Sequence, residues 1–129
     1  MDMCDLTDGR ACWTRDPTRA LIAYPTWADE LMRDKDWEVR NNATTIRERV
    51  GIIASGGGGM IGEATLVGCV RLTQELFESN RHRHKTAVSW ASVAAQYKNP
   101  HAWVFANPTR YTQPVFPPRK PGQVIWALL

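Results

Sequence analysis

Lys35, Glu38 and Arg40 are the charged residues whose types and spacing best suit ligand chemistry. Alternation along a short strand would place Glu38 and Arg40 on one face and Trp37 and Val39 on the other. Lysine and arginine donate hydrogen bonds to a phosphate or a base carbonyl, and glutamate accepts from an exocyclic amine. The three residues therefore fit a nucleotide or nucleic-acid ligand. The same spacing also fits an exposed Glu–Arg pair of little energetic value.

The four glycines at 56–59 are the second feature with possible chemistry. A phosphate-binding P-loop needs a Lys-Ser/Thr pair that opens a helix, whereas Met60 and Ile61 open a strand-like run here. The sequence also lacks the Gly-x-Ser-x-Gly elbow that holds a nucleophilic serine. We interpret the glycines as a flexible hairpin connection.

Two histidines are the remaining candidates for metal binding. His82 and His84 would share a face in an extended segment, but Arg81, Arg83 and Lys85 flank them and would repel a cation. We therefore interpret 81–85 as an exposed basic loop, and we expect neither a metal ion nor a cofactor.

Length and composition indicate one globular domain. The chain has 129 residues, of which 43% are hydrophobic and 22% charged. Charge is uneven, with 9 Lys/Arg against 13 Asp/Glu up to Glu78, and 7 Lys/Arg with no acid from Ser79 onward. Such an acid-free half is a plausible footprint for a polyanion, or an ordinary solvated basic face.

The cysteines and the N-terminus indicate the compartment. Cys4, Cys12 and Cys69 are odd in number and lack paired spacing, which favours reduced thiols over a disulfide framework. The N-terminal MDMCDLTDGR carries acids where a signal peptide has basic and apolar residues, and no apolar run approaches the ~18 residues of a membrane span. We expect a cytoplasmic protein without membrane contact.

Periodicity and turn residues predict an α+β fold. Residues 1–17 are expected to form an N-terminal arm, and 18–129 one domain with a small, mostly antiparallel barrel. Thr26 and Thr73 are predicted helix N-caps, and prolines are expected to hold the segment after 106 open. Strands are predicted at 19–24, 37–40, 50–54, 61–72, 101–106 and 124–128, and helices at 27–33, 73–77 and 89–97.

Four segments in order resemble the ASCH family of the PUA-like superfamily. They are a Pro25-x-Trp27-Ala28 helix start, Lys35-x-x-Glu38-x-Arg40, the stretch from Arg47 to Ile53-Ala54-Ser55 with the strand after it, and a C-terminal part with Trp103, Asn107-Pro108 and Trp126. The sequence departs from the family pattern at Asp34, which replaces a turn glycine, and at Asp36, often threonine. It also departs at Glu48, which follows Arg47 where a glycine is usual.

The resemblance implies a PUA-like β-barrel of about six strands, with two or three short helices packed outside and a cleft beside the first helix. Trp27 and Trp103 would either stack on an unpaired base or pack in the core. The residues that the resemblance assigns to ligand binding are Lys35, Glu38, Arg40, Trp27, Arg47, Ser55 and Trp103.

The resemblance leaves three kinds of function open. The first is binding of RNA, another single-stranded nucleic acid or a modified nucleoside. The second is a metal-independent ribonuclease or acetylcytidine-type amidohydrolase with Lys35 and Glu38 as catalytic residues, although Glu38 stands where related amidohydrolases have a threonine nucleophile. The third is a protein-interaction adaptor that uses the proline-rich segment Pro114–Pro121.

Overall fold

A computed structural model describes residues 17–118 and 122–129, so the N-terminal arm predicted at 1–17 lies outside the described residues except for Pro17. Within these two ranges the chain forms six strands and four helices. The strands are β1 (Arg19–Ala23), β2 (Trp37–Asn41), β3 (Arg49–Ala54), β4 (Gly59–Arg71), β5 (Pro100–Val115) and β6 (Trp126–Leu128). The helices are α1 (Pro25–Leu31), α2 (Gln74–Ser79), α3 (Arg81–His84) and α4 (Trp90–Gln96).

The strands form one sheet in the order β2-β5-β4-β3-β1-β6. Neighbouring strands are antiparallel except β1 and β3, which run parallel because α1 and β2 lie between them in the chain. The glycine run forms the turn of the β3–β4 hairpin, as the sequence predicted. Gly56, Gly57 and Gly59 have φ of 77°, 91° and 76°, a left-handed backbone conformation that residues other than glycine rarely adopt.

The sheet curls so far that strands distant in its order come into contact. Arg40 of β2 donates from Nη2 to the carbonyl of Ile22 in β1 at 2.8 Å. The two strands are four positions apart in the order, which in a flat sheet would separate them by about 19 Å. Trp103 of β5 stacks on Trp126 of β6 with ring centroids 5.8 Å apart. The sheet is therefore a half-barrel, and the predicted α+β fold with a barrel-like sheet of six strands is confirmed.

Alternation along the strands divides the buried side chains among three clusters. Leu21 and Ala23 of β1 face a main core with Trp103, whereas Ala20 and Ile22 face a second cluster on the other side of the sheet. A third cluster packs α2 and α4 against β2 and β5, through Trp37, Leu72, Phe77, Val93 and Ala102. These helices build one wall of the cleft described below.

The segment 81–85, predicted as an exposed loop, instead contains the helical turn α3, and His84 is fully buried. The prediction was wrong because the ring stacks on Phe77 at 4.2 Å, and its Nε2 lies 2.8 Å from the Phe77 carbonyl oxygen. These contacts satisfy the ring inside the third cluster. With this extra turn the described ranges contain four helices, where two or three were expected.

Two further predictions need correction. Strand β5 continues to Val115 through Pro108 and Pro114, although the prolines were expected to interrupt it. β2 pairs with β5 only as far as Val104. Beyond Val104, β5 has no β2 neighbour on one edge. Because Pro108 and Pro114 lie in this part of β5, their missing amide protons cost no hydrogen bond to β2. Helix α1 begins at Pro25 rather than after Thr26, because proline's fixed φ suits the first helical position.

Candidate ligand-binding cleft

Lys35, Glu38 and Arg40 form a continuous chain of ion pairs. Lys35 Nζ lies 2.9 Å from Glu38 Oε1, and Arg40 Nη2 lies 3.1 Å from Glu38 Oε2. Lys35 is 5% exposed and Glu38 is 0% exposed, so the group is buried and is not the solvated pair that its spacing also allowed. Arg40 is half-buried.

The backbone around Lys35 fixes the position of its side chain. The Lys35 amide donates to the Glu30 carbonyl at 2.9 Å, which ties the turn to the end of α1. The Asp36 amide donates to the Arg83 carbonyl at 3.1 Å, and the Asp36 carbonyl accepts from the Phe105 amide at 2.8 Å. The turn is thereby held between α1, α3 and the sheet, and Glu38 follows on β2.

The Glu38 carboxylate retains unused hydrogen-bonding capacity. Its Oε1 makes no hydrogen bond within the described part of the chain, because the approach of Lys35 Nζ has the distance but not the angles of one. A buried acceptor without a hydrogen bond is costly unless a partner or a ligand reaches it.

A pocket of about 150 Å³ opens beside Lys35 and Glu38. We call it the Lys35 pocket, and apart from these two charges its lining is apolar, aromatic or uncharged. Its lining residues are Trp27, Lys35, Glu38, Val39, Thr86, Val88, Val93, Gln96 and Tyr97.

A larger groove of about 470 Å³ adjoins this pocket. We call it the Arg40 groove, and it shares Trp27, Gln96 and Tyr97 with the Lys35 pocket. Its lining residues are Ile22, Ala23, Tyr24, Trp27, Arg40, Ser55, Gly56, Gln96, Tyr97, Gln123, Val124 and Ile125.

The structure brings some of the predicted site residues together and separates others. Trp27 is half-buried between the two cavities, with Lys35 Nζ 5.2 Å from its ring centroid, and Ser55 lies in the groove. Trp103 is only 4% exposed and belongs to the main core, where its Nε1 donates to the Asn42 carbonyl at 3.0 Å. Arg47 lies outside both linings and donates to carbonyls of its own loop.

Several lining residues had no signal as ligand contacts in the sequence. The helical spacing of Val93 and Tyr97 predicted an amphipathic helix, α4. It did not reveal that these two residues face the Lys35 pocket. Thr86 and Val88 lie in an irregular segment whose position depends on the burial of His84. Tertiary packing, rather than any local pattern, assigns these residues to the pocket.

His84 supports the wall of the Lys35 pocket from behind. Its Nδ1 accepts from the Thr86 amide at 3.1 Å, so Nε2 carries the proton and donates to the Phe77 carbonyl. Burial lowers the pKa of His84 below its usual value of 6.5, and the positive charges of Arg81 and Lys35 act in the same direction. The neutral ring therefore holds the start of the segment that carries Thr86 and Val88.

Most cations of the acid-free C-terminal half are paired with acids. Arg83 lies 3.1 Å from Asp36, Lys85 lies 3.4 Å from Asp34, and Arg110 binds Asp29. Arg81 likewise pairs with Glu78. Lys98 is the only lysine or arginine after residue 78, among those that the structure describes, without an ion-pair partner. Within the described ranges, the positive charge after residue 78 is thus largely paired with acids from the first part of the chain.

The described ranges contain no group of three or more His, Cys, Asp and Glu side chains that is arranged to hold a metal ion. None of the helices in these ranges is long and apolar enough to cross a membrane.

Comparison with solved structures shows the same fold in ASCH proteins from Zymomonas mobilis. The ASCH protein is 17% identical with a TM-score of 0.55, over 71% of this chain and 68% of that chain. A tyrosine-to-phenylalanine variant is 18% identical with a TM-score of 0.54, over 74% of each chain. A serine-to-alanine variant is 17% identical with a TM-score of 0.59, over 88% of this chain and 89% of that chain.

No protein-family model matches the sequence, and no curated protein does so significantly. At the identities seen among the solved structures, the comparison establishes an ASCH-like fold, as the sequence motifs predicted.

Proposed function

We propose that this chain binds single-stranded RNA or a modified nucleoside, with one base in the Lys35 pocket. The observation that carries the proposal is the buried Lys35–Glu38 pair, which contributes to the lining of an otherwise uncharged pocket. A buried ion pair is often no more stabilising than apolar residues of the same volume, so stability alone gives little reason to keep one beside a cavity.

The polar atoms of the pocket complement the edge of a nucleobase. Lys35 Nζ is a donor for a ring carbonyl, and Glu38 Oε1 is an acceptor for an adjacent amino group. Cytosine and its derivatives present both groups on one edge. Trp27 and Tyr97 supply aromatic surface for stacking, which is how single-stranded RNA is commonly held.

A pair of charge-matched variants tests the proposal. Lys35→Met removes the donor but keeps an apolar side chain in the buried site, and Arg33→Met removes one positive charge two residues away. The Arg33 side chain is 57% exposed and lies outside both cavities. We expect Lys35→Met to weaken binding at least about tenfold, which corresponds to roughly 1.4 kcal/mol, and Arg33→Met to change it less than twofold.

The measurement is calorimetry with the four common ribonucleosides, acetylcytidine and a single-stranded hexaribonucleotide of mixed sequence. Thermal unfolding of each variant verifies that it is folded at the titration temperature. Equal binding by folded Lys35→Met and by wild type would contradict the proposal.

A second candidate is a metal-independent hydrolase in the same pocket, either a ribonuclease or an acetylcytidine-type amidohydrolase. The position of Lys35 Nζ and Glu38 Oε1, 2.9 Å apart in the lining of one pocket, favours it, because the two groups could act as acid and base on the same substrate. Thr86 lies in the same lining. This hypothesis requires turnover of RNA or acetylcytidine that Lys35→Ala abolishes while the variant stays folded. Binding without turnover in the wild type would exclude it.

A further inference from the structure

We infer that the Arg40 groove is a second nucleotide subsite, so that the preferred ligand is an oligonucleotide rather than a free nucleoside. The inference rests on the proposed function, because it needs the first base in the Lys35 pocket. The inference identifies the groove in which the next nucleotide of the ligand would lie, and the residues that would favour an oligonucleotide over a free nucleoside.

The two cavities are positioned to hold consecutive units of one ligand. Trp27, Gln96 and Tyr97 line both, so the groove is the neighbouring cavity into which a ligand held beside Lys35 would continue. The groove is about three times as large as the pocket, at about 470 Å³ against about 150 Å³. It therefore has room for a sugar-phosphate unit and a further base.

The charge of the groove favours an anion. Among the residues that the structure describes, its lining contains no aspartate or glutamate, and Arg40 is the one charged residue there. Both hydrogen bonds of the Arg40 guanidinium come from Nη2, to Ile22 O and Glu38 Oε2, and Nη1 makes none with the residues described. Nη1 is thus available to donate to a phosphate oxygen, a contact that a free nucleoside lacks.

The rim of the groove offers surface for a base. Tyr24 is 65% exposed, although it is a large aromatic residue, and it contacts the Trp27 ring edge-on with centroids 5.0 Å apart. Val124 is 74% exposed and Ile125 is 47% exposed in the same lining. Exposed aromatic surface beside a cation is the usual platform for an unpaired base.

The backbone of the groove argues against a peptide that would bind by strand addition. The Ile22 amide already donates to the Ile125 carbonyl at 2.9 Å. The Ala23 carbonyl accepts from the Ser55 amide at 2.8 Å. Since an added strand needs free main-chain groups, recognition in the groove depends on side chains.

Two substitutions on the rim test the inference. Tyr24→Ala removes the stacking surface, and Val124→Glu places an acid where the phosphate chain would run. Val67→Glu is the matched control, because Val67 is 50% exposed on β4 and lines neither cavity. Each protein is titrated with a fluorescein-labelled single-stranded hexaribonucleotide, and with the four ribonucleosides and acetylcytidine.

We expect both rim variants to weaken hexanucleotide binding about tenfold and to leave nucleoside binding within twofold of wild type. Val67→Glu should match wild type for every probe. Unchanged hexanucleotide binding in both rim variants would overturn the inference while leaving the proposed function intact, and so would an equal loss in Val67→Glu. Failure of wild type to bind any probe would overturn both.

Discussion

At the scale of single residues, Glu38 is the centre of the candidate site. It is fully buried and lies between two cations, one of which is also buried. The sequence identified this trio by spacing alone. It could not reveal the burial, because burial depends on α1 and α3, which pack against β2 near its start.

Removal of the Glu38 carboxylate should destabilise the fold. Glu38→Leu leaves Lys35 as an uncompensated buried charge, for which we expect a loss of about 3–5 kcal/mol in the free energy of unfolding. The double variant Lys35→Met/Glu38→Leu removes both charges and should recover most of that loss. Urea denaturation at pH 7 of wild type, Lys35→Met, Glu38→Leu and the double variant gives a double-mutant cycle. Losses that simply add in the double variant would contradict a coupled buried pair.

His84 should make stability depend on pH. Its pKa is lowered by burial in the folded state, so below pH 6.5 the unfolded chain binds a proton that the folded chain excludes. The contribution of His84 to the free energy of unfolding is fully present above the pKa of the unfolded chain. Below that pKa the free energy of unfolding falls as the pH drops, by at most about 1.4 kcal/mol per pH unit. Urea denaturation between pH 7.5 and 5 should show a smaller decline in His84→Gln than in wild type. The exposed neighbour His82, changed to Gln, should behave as wild type, and identical slopes in all three proteins would contradict this account.

At the scale of elements, apolar runs predicted all six strands of the described sheet, and turn chemistry predicted the β3–β4 hairpin. Alternation and glycine are local signals, which is why they sufficed. Helix α3 was missed because its residues 81–84 are basic, and only contacts with Phe77 make His84 a buried residue. The length of β5 was missed because a proline is tolerated where one edge of a strand has no partner.

The helix caps provide a comparison within one protein. Thr73 Oγ1 accepts from the Leu76 amide at 3.2 Å and caps α2, whereas Thr26 lies inside α1 after Pro25. Thr73→Ala should lower the free energy of unfolding by about 1 kcal/mol. Thr26→Ala should change it by less than about 0.5 kcal/mol. Chemical denaturation measures both, and an equal loss in the two variants would contradict the assigned caps.

At the scale of the whole molecule, the curl of the sheet creates the candidate site. It brings Arg40 of the edge strand β2 against Ile22 of β1, and the Arg40 groove lies where they meet. The sequence motifs predicted this barrel through their resemblance to a family. The individual strand patterns could not, because curvature arises from the packing of the complete sheet.

The pairing of opposite charges across the molecule predicts weak salt dependence. With Arg83, Lys85 and Arg110 engaged by aspartates, Arg40 and Lys98 are the described cations that we expect to meet RNA phosphates. Two phosphate contacts give a slope of about −1.4 for log K against log salt on a single strand. Anisotropy titrations of the hexaribonucleotide at several salt concentrations measure the slope. A slope of about −3.5 or steeper would indicate that the paired cations also bind the backbone.

The central claim, that a base enters the Lys35 pocket, is tested most directly by the tryptophan indole signals in ¹H–¹⁵N NMR spectra. Trp27 lines both cavities, whereas Trp90 lines neither and packs against Phe77 with ring centroids 5.7 Å apart. During titration with the single-stranded hexaribonucleotide, we predict that the Trp27 indole resonance shifts to saturation while the Trp90 resonance stays in place. A Trp27 resonance that does not move at saturating RNA would contradict the account.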